Sequence, residues 1–232
     1  MWCQDEAGPY QAIAQPGERW AKSGEAGRYP HVYVRGGTAK MLTLFHPATG
    51  QVRVTGVTRS TNAILHPWIR EQVTQVLAEL PEPAELPPDQ NRVRWERWRE
   101  GLQVKFTLLS ELPPLRMLLI WDNLVGHWNA DLLIWLMRQG VMVLFTPLSG
   151  SWLNLCESVQ RILVRRALSG QSFETPEQVM TSLESVARGW NRNPTPFEWG
   201  GRRKARRDRA KERHRLGGSG GFTKRPVRRR WG

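Results

Sequence analysis

Cysteine is nearly absent from this chain. Two occur in 232 residues, Cys3 and Cys156, in no paired spacing, which excludes a disulfide framework and a cysteine-based zinc site. Long apolar runs are missing as well. Unbroken stretches of strongly apolar residues, such as 117–121, fall far short of the roughly 20 that a membrane helix needs. Charge follows Met1 almost at once, so no signal peptide is expected. Internal repeats are absent. A soluble, cytosolic protein without membrane attachment is the expectation.

Acidic residues are scarce at one end only. Residues 200–232 hold 14 Lys and Arg against 2 Asp and Glu, a net charge of +12, whereas the rest of the chain holds 20 against 19. A nearly neutral body therefore carries a polycationic tail, and such tails favour polyanions, nucleic acid above all. The body is of ordinary composition, with 40% hydrophobic and 24% charged residues in the whole chain, and is long enough for one sizeable core.

Taken in order, residues 1–6 read as the end of a strand cut short at its start, because strands run roughly 5–6 residues. Residues 7–28, rich in Gly, Pro and Ala, read as loop. Segments 31–35 and 40–45 alternate around a Gly36-Gly37 turn, and 46–50 turn again into 51–57, giving an antiparallel meander. A helix is expected to open at Pro67, with Ile69, Val73, Val76, Leu77 and Leu80 at helical spacing. Four prolines make 81–88 irregular. A short helix over 91–101 turns Val93, Trp95, Trp98 and Leu102 to one side; its alternating Arg and Glu suit a solvated, ion-paired face better than a nucleic-acid stripe.

The second half alternates strand and helix. A strand at 116–121 leads to a helix over 130–139, capped by Asn129 and stopped by Gly140. A strand at 141–146 follows, then a helix capped by Ser151 that reaches about residue 168. Thr175-Pro176-Glu177-Gln178 is a capping box opening a last helix to about residue 191. The order is β-β-β-α and then β-α-β-α-α: an α/β fold whose mixed sheet joins an antiparallel meander to parallel strands, with helices flanking it.

Three carboxylates carry the chemistry. Asp122 closes an apolar strand, at the sheet edge where ligands collect. Alone it is equally a strand-end Asp bonded to the next turn. Glu157 falls at the border of its helix's apolar arc; alone it is an exposed Glu paired with Arg161. Asp5 ends the first strand and stands beside Asp122 if strands one and four are neighbours. Three converging carboxylates repel one another without cations, and oxygen-only ligands suit Mg²⁺ or Mn²⁺. Two such ions roughly 3.5–4 Å apart serve phosphodiester displacement.

Five stretches carry a resemblance: Gln4-Asp5-Glu6-Ala7-Gly8, Trp121-Asp122-Asn123 with His127, Phe145-Thr146-Pro147, Gly150-Ser151-Trp152-Leu153-Asn154 with Glu157, and 191–199. With 34 residues between Asp122 and Glu157, the chain resembles bacterial insertion-sequence transposases of the IS630 type, in the Tc1/mariner group of DDE enzymes with an RNase H-like catalytic domain. The resemblance implies that Asp5, Asp122 and Glu157 form a triad holding two Mg²⁺ or Mn²⁺ ions. Asn123, His127 and Asn154 would support it, His127 alternatively bonding backbone at a helix entry. It implies cut-and-paste transposition: hydrolysis at element ends, then attack of a 3′-hydroxyl on target DNA, typically at TA, with association with the nucleoid.

Members of this group carry a helix-turn-helix region before the first Asp. None precedes Asp5 here, so the expectation includes one half of a split transposase with a helix-turn-helix partner polypeptide, or an inactive DNA-binding remnant. A homodimer would join two element ends. Residues 1–199 are expected to form the catalytic domain, with 81–104 as an insertion. Residues 200–232 form a DNA-binding tail in which Arg202, Arg203, Lys204, Arg206, Arg207, Arg209, Lys211 and Arg213 grip phosphate. A basic RNA-associated protein is the reading that charge alone permits.

Overall fold

The structure, a computed structural model, describes residues 1–13, 22–24, 35–83, 86–148, 150–198 and 208, with Trp152 described by its backbone only. The chain divides into Met1–Pro196 and Phe197–Gly232. In the second unit Phe197, Glu198 and Asp208 are described; the eight basic tail residues assigned to phosphate fall outside the described residues.

The first unit is built on one five-stranded sheet in the order β3-β2-β1-β4-β5. Strands β1 (Trp2–Ile13), β2 (Arg35–His46) and β3 (Gln51–Val57) form an antiparallel meander, while β4 (Met117–Trp121) runs parallel to β1 and β5 (Val141–Phe145) parallel to β4. This is the mixed sheet flanked by helices expected of an RNase H-like fold. Strands one and four are neighbours, with Trp2 opposite Leu119 and Cys3 opposite Ile120.

Alternation along β1 and β2 splits the interior in two. Trp2, Leu42 and Leu44 face one way, against α1 (Asn62–Glu79), α2 (Pro88–Glu100) and α3 (Ala130–Arg138). Ala12, Ala39 and Met41 face the other, against α4 (Cys156–Leu168) and α5 (Pro176–Asn191). Along β4, buried Met117, Leu119 and Trp121 alternate with half-buried Leu118 and Ile120.

The first strand differs most from expectation. It is twelve residues long and continues through 7–13 instead of ending at Glu6. Pairing with β2 holds it, Ala7 opposite Met41 and Ile13 opposite Arg35, and a register shift between Ala7 and Tyr10 takes up Gly8 and Pro9. Proline lacks the ladder N–H and is tolerated at such irregularities. Gly8 has φ +115, and a Cβ there would meet Ala39 O at 3.1 Å, so glycine alone suits the bulge. Asp5 therefore sits inside a strand, not at its end.

Smaller corrections follow the same logic. Arg35, Gly36 and Gly37 belong to β2 rather than to a turn, and 31–34 lie outside the described residues. Helix α1 starts at Asn62 after Thr61, five residues before Pro67, which lies within it. Helix α2 starts at Pro88, at the first helical position. Trp95, Trp98 and Leu102 enter the main core while Val93 is exposed. Trp98 Nε1 donates to Val143 O at 2.6 Å, bonding β5. Ser151 caps no α-helix: 151–153 form a short 3₁₀ turn and α4 begins at Cys156.

Expected caps stand elsewhere. Asn129 Oδ1 accepts from Leu132 N at 3.0 Å, Gly140 has φ 74, and Thr175 accepts from Gln178 N. Asn191, at the end of α5, accepts from Val52 N and donates to Val52 O, at 2.9 and 2.7 Å. That single amide acts as an extra strand residue on β3 and fastens α5 to the sheet.

Candidate active site

Three elements deliver the carboxylates. Asp122 follows the last residue of β4, where the apolar strand gives out. The parallel register of β1 and β4, carried two residues beyond Cys3 and Ile120, sets Asp5 level with Asp122. Asp5 shares its sheet face with Cys3, on the α4 side, where Cys156 Sγ donates to Cys3 O at 2.9 Å. Glu157 lies in the first turn of α4, where a carboxylate complements the helix dipole. Within the described residues it forms no ion pair with Arg161, the alternative that helical spacing offers.

Electrostatics show the convergence. The Asp5 carboxyl is pushed up to about 7, first by burial, then by Asp122, Glu6 and Glu157, against the pull of the Glu6 N–H. That N–H donates to Asp5 Oδ1 at 2.8 Å. Asp122 is held below the usual carboxylate range, chiefly by its hydrogen bond from His127, with burial opposing. Leu124 N also donates to Asp122 Oδ1 at 3.2 Å. The bond to the next turn is therefore present.

The supporting residues gather around these. Asn123 Nδ2 donates to Thr146 O at 2.6 Å, and Thr146 N to Trp121 O at 2.7 Å, which ties the ends of β4 and β5 together. Asn154 is buried; its Nδ2 donates to Gln4 O at 2.7 Å and its Oδ1 accepts from Cys156 N, coupling the start of α4 to β1 one residue before Asp5. His127 is buried in the 3₁₀ turn Val125–His127 and stacked on Trp121 at 4.5 Å and 6°. Its Nδ1 lies 3.0 Å from Asp122 Oδ1 and 3.2 Å from Asp122 O, and its Nε2 lies 3.3 Å from Glu6 Oε1. Burial alone would lower its pKa, but hydrogen bonds to Asp122 and Glu6 and their charges raise it to about 9. The two readings of His127 are both met, since it bonds backbone and carboxylate.

A match to a family decides what this arrangement belongs to. The model of the DDE superfamily endonucleases matches residues 1–180. The chain belongs to that family. Among curated proteins no relative matches. The DDE match covers all three carboxylates, so nuclease or transposase activity on DNA is the activity of the family in which they stand.

Whether cations suit the DDE carboxylates is a question for the donor set. Among the described residues, no three His, Cys, Asp or Glu side chains are already gathered closely enough to grip a metal ion. The donor chemistry fits nonetheless: Asp5, Asp122 and Glu157 offer only oxygen, and Asp5 is held near 7 by burial first and then by Asp122, Glu6 and Glu157, a cost that a hard divalent cation relieves. The residue that sequence reasoning passed over is Glu6. Adjacent strand residues point to opposite faces, but nothing in the Asp5-Glu6 pair itself says that the His127 loop meets the Glu6 face.

Proposed function

We propose that this chain is the catalytic domain of an IS630-type transposase of the Tc1/mariner group, cutting DNA at element ends and joining the freed 3′-hydroxyl to target DNA at TA. The observation that carries the reading is the parallel register of β1 and β4, which sets Asp5 level with Asp122, inside the span that the DDE endonuclease family matches. Asp5, Asp122 and Glu157 would hold two Mg²⁺ or Mn²⁺ ions, which supply the Lewis acidity that activates the attacking oxygen and stabilises the leaving one. The protein's own part is positional. The sheet fixes Asp5 and Asp122 abreast, Asn154 holds the start of α4 so that Glu157 faces them, and Asn123 keeps the β4 and β5 loops together.

The tail, Arg202 to Arg213, contributes backbone affinity for DNA without sequence selectivity. Synapsis of two ends calls for a dimer. One observation favours a second reading, binding without cleavage: His127 already engages Asp122, and the carboxylates are not drawn together. One assay separates the two. Element-end DNA and a target plasmid are incubated with the protein and Mg²⁺ or Mn²⁺, and strand-transfer joints are counted. Joints that form with wild type and vanish with Asp122→Ala support the transposase. Equal products from both, or binding without any product, overturn it.

A further inference from the structure

Glu6 lies outside the triad, yet it is bonded into the site. It leaves β1 on the face opposite Asp5, alongside Gln4, whose Nε2 donates to Glu6 Oε1 at 3.3 Å. The same oxygen meets His127 Nε2 at 3.3 Å, and the other ring nitrogen meets Asp122 Oδ1 at 3.0 Å. The His127 side chain is 1% exposed and Glu6 13%. With one ring face on Trp121 and a carboxylate oxygen at each nitrogen, the imidazole has one orientation that satisfies all its contacts. Asp122 Oδ1 takes both this bond and that of Leu124 N, which leaves Oδ2 as the oxygen without a hydrogen bond among the described residues.

We propose that Glu6, acting through His127, is a positioning residue that fixes the Asp122 carboxylate with one oxygen committed to the protein and the other presented to a divalent cation. The inference rests on reading Asp122 as a cation ligand. It gives the consecutive pair Asp5-Glu6 two routes to one site: Asp5 enters directly on the α4 face, and Glu6 enters from the far face by way of the ring. Residues that orient a metal's ligands through a second hydrogen bond are worth about 10–100-fold in metal affinity when removed. A merely structural Glu6 would hold the loop at 122–127 in place without distinguishing the two oxygens of Asp122.

The test uses the full chain labelled with ¹³C-aspartate, the Asp122 carboxyl resonance being assigned with Asp122→Asn. Mn²⁺ affinity is measured by electron paramagnetic resonance, and thermal melting confirms the fold. Glu6→Ala is expected to shift the Asp122 resonance and weaken Mn²⁺ binding about 10-fold. Glu6→Gln, whose amide oxygen still accepts from His127 Nε2, stays close to wild type in both. If Glu6→Ala does not fold, Glu6→Met fills the same space without an acceptor and takes its place. A folded Ala or Met variant with unchanged resonance and affinity overturns the proposal, as does a folded Glu6→Gln that behaves like the alanine variant. Wild type that binds no Mn²⁺ removes the ligand reading instead; the Asp122 resonance alone then decides whether Glu6 positions it, a shift supporting the role and no shift overturning it.

Discussion

Asp5 is an acid whose folded pKa, about 7, lies above its ordinary 3.8. It binds its proton more tightly folded than unfolded, so its contribution favours the fold below pH 3.8 and is lost as pH rises through about 7. Asp5→Asn should therefore raise the unfolding free energy from urea melts at pH 8, by on the order of 4 kcal/mol at most, and leave it unchanged near pH 3. His127 has the ordinary sign for a base with partners: folded pKa about 9 against 6.5, so its stabilisation is full below 6.5 and lost as pH rises through 9. His127→Gln should lower the urea midpoint at pH 6, with the gap narrowing above pH 9. Cys3, pushed up to about 11 by burial, and Cys156, buried and raised well above the usual thiol range, should both be inert to a disulfide reagent at pH 8. Unfolding should release two reactive thiols. At this scale the sequence makes Asp122 and Glu157 visible by type and spacing. It does not show Glu6, because the role of that residue depends on which face of β1 meets the His127 loop.

Elements with a local cause are legible; those set by distant partners are not. The caps at Asn129 and Thr175 and the stop at Gly140 are chemistry within one turn, and the structure has them where the sequence puts them. The extent of β1 depends on β2, a segment far along the chain, so Gly8 and Pro9 read as loop when their pairing partner is ignored. Ser151 has the chemistry of a cap, but Asn154, bonded to Gln4 O, moves the start of α4 to Cys156. Trp95, Trp98 and Leu102 share one side of their helix as the spacing puts them, but Val93, placed with them, is exposed. Asn191 makes the element scale testable. Asn191→Ala leaves Val52 N–H and C=O without their partners, and should cost about 1–3 kcal/mol in the urea midpoint. A change within error would show that α5 is held to β3 by packing alone.

For the molecule as a whole, charge is segregated: a body close to neutral and a tail at +12. No helix among the described residues is long and apolar enough to cross a membrane. Tail binding to DNA is an electrostatic proposal, so its signature is salt. Replacing Arg202, Arg203, Arg206 and Arg207 with Gln should make the slope of log affinity against log salt shallower by up to about 3.6, at roughly 0.9 for each phosphate no longer neutralised. The central claim, a proposal about the body, is that Asp5, Asp122 and Glu157 act as a single nuclease centre. The measurement that bears on it most directly is the rate of Mn²⁺-dependent nicking of element-end DNA by wild type, Asp5→Asn, Asp122→Asn and Glu157→Gln. If the three act as one site, each substitution lowers the rate roughly 100-fold or more, about 2.7 kcal/mol of transition-state stabilisation. Any one of them nicking at the wild-type rate would contradict it.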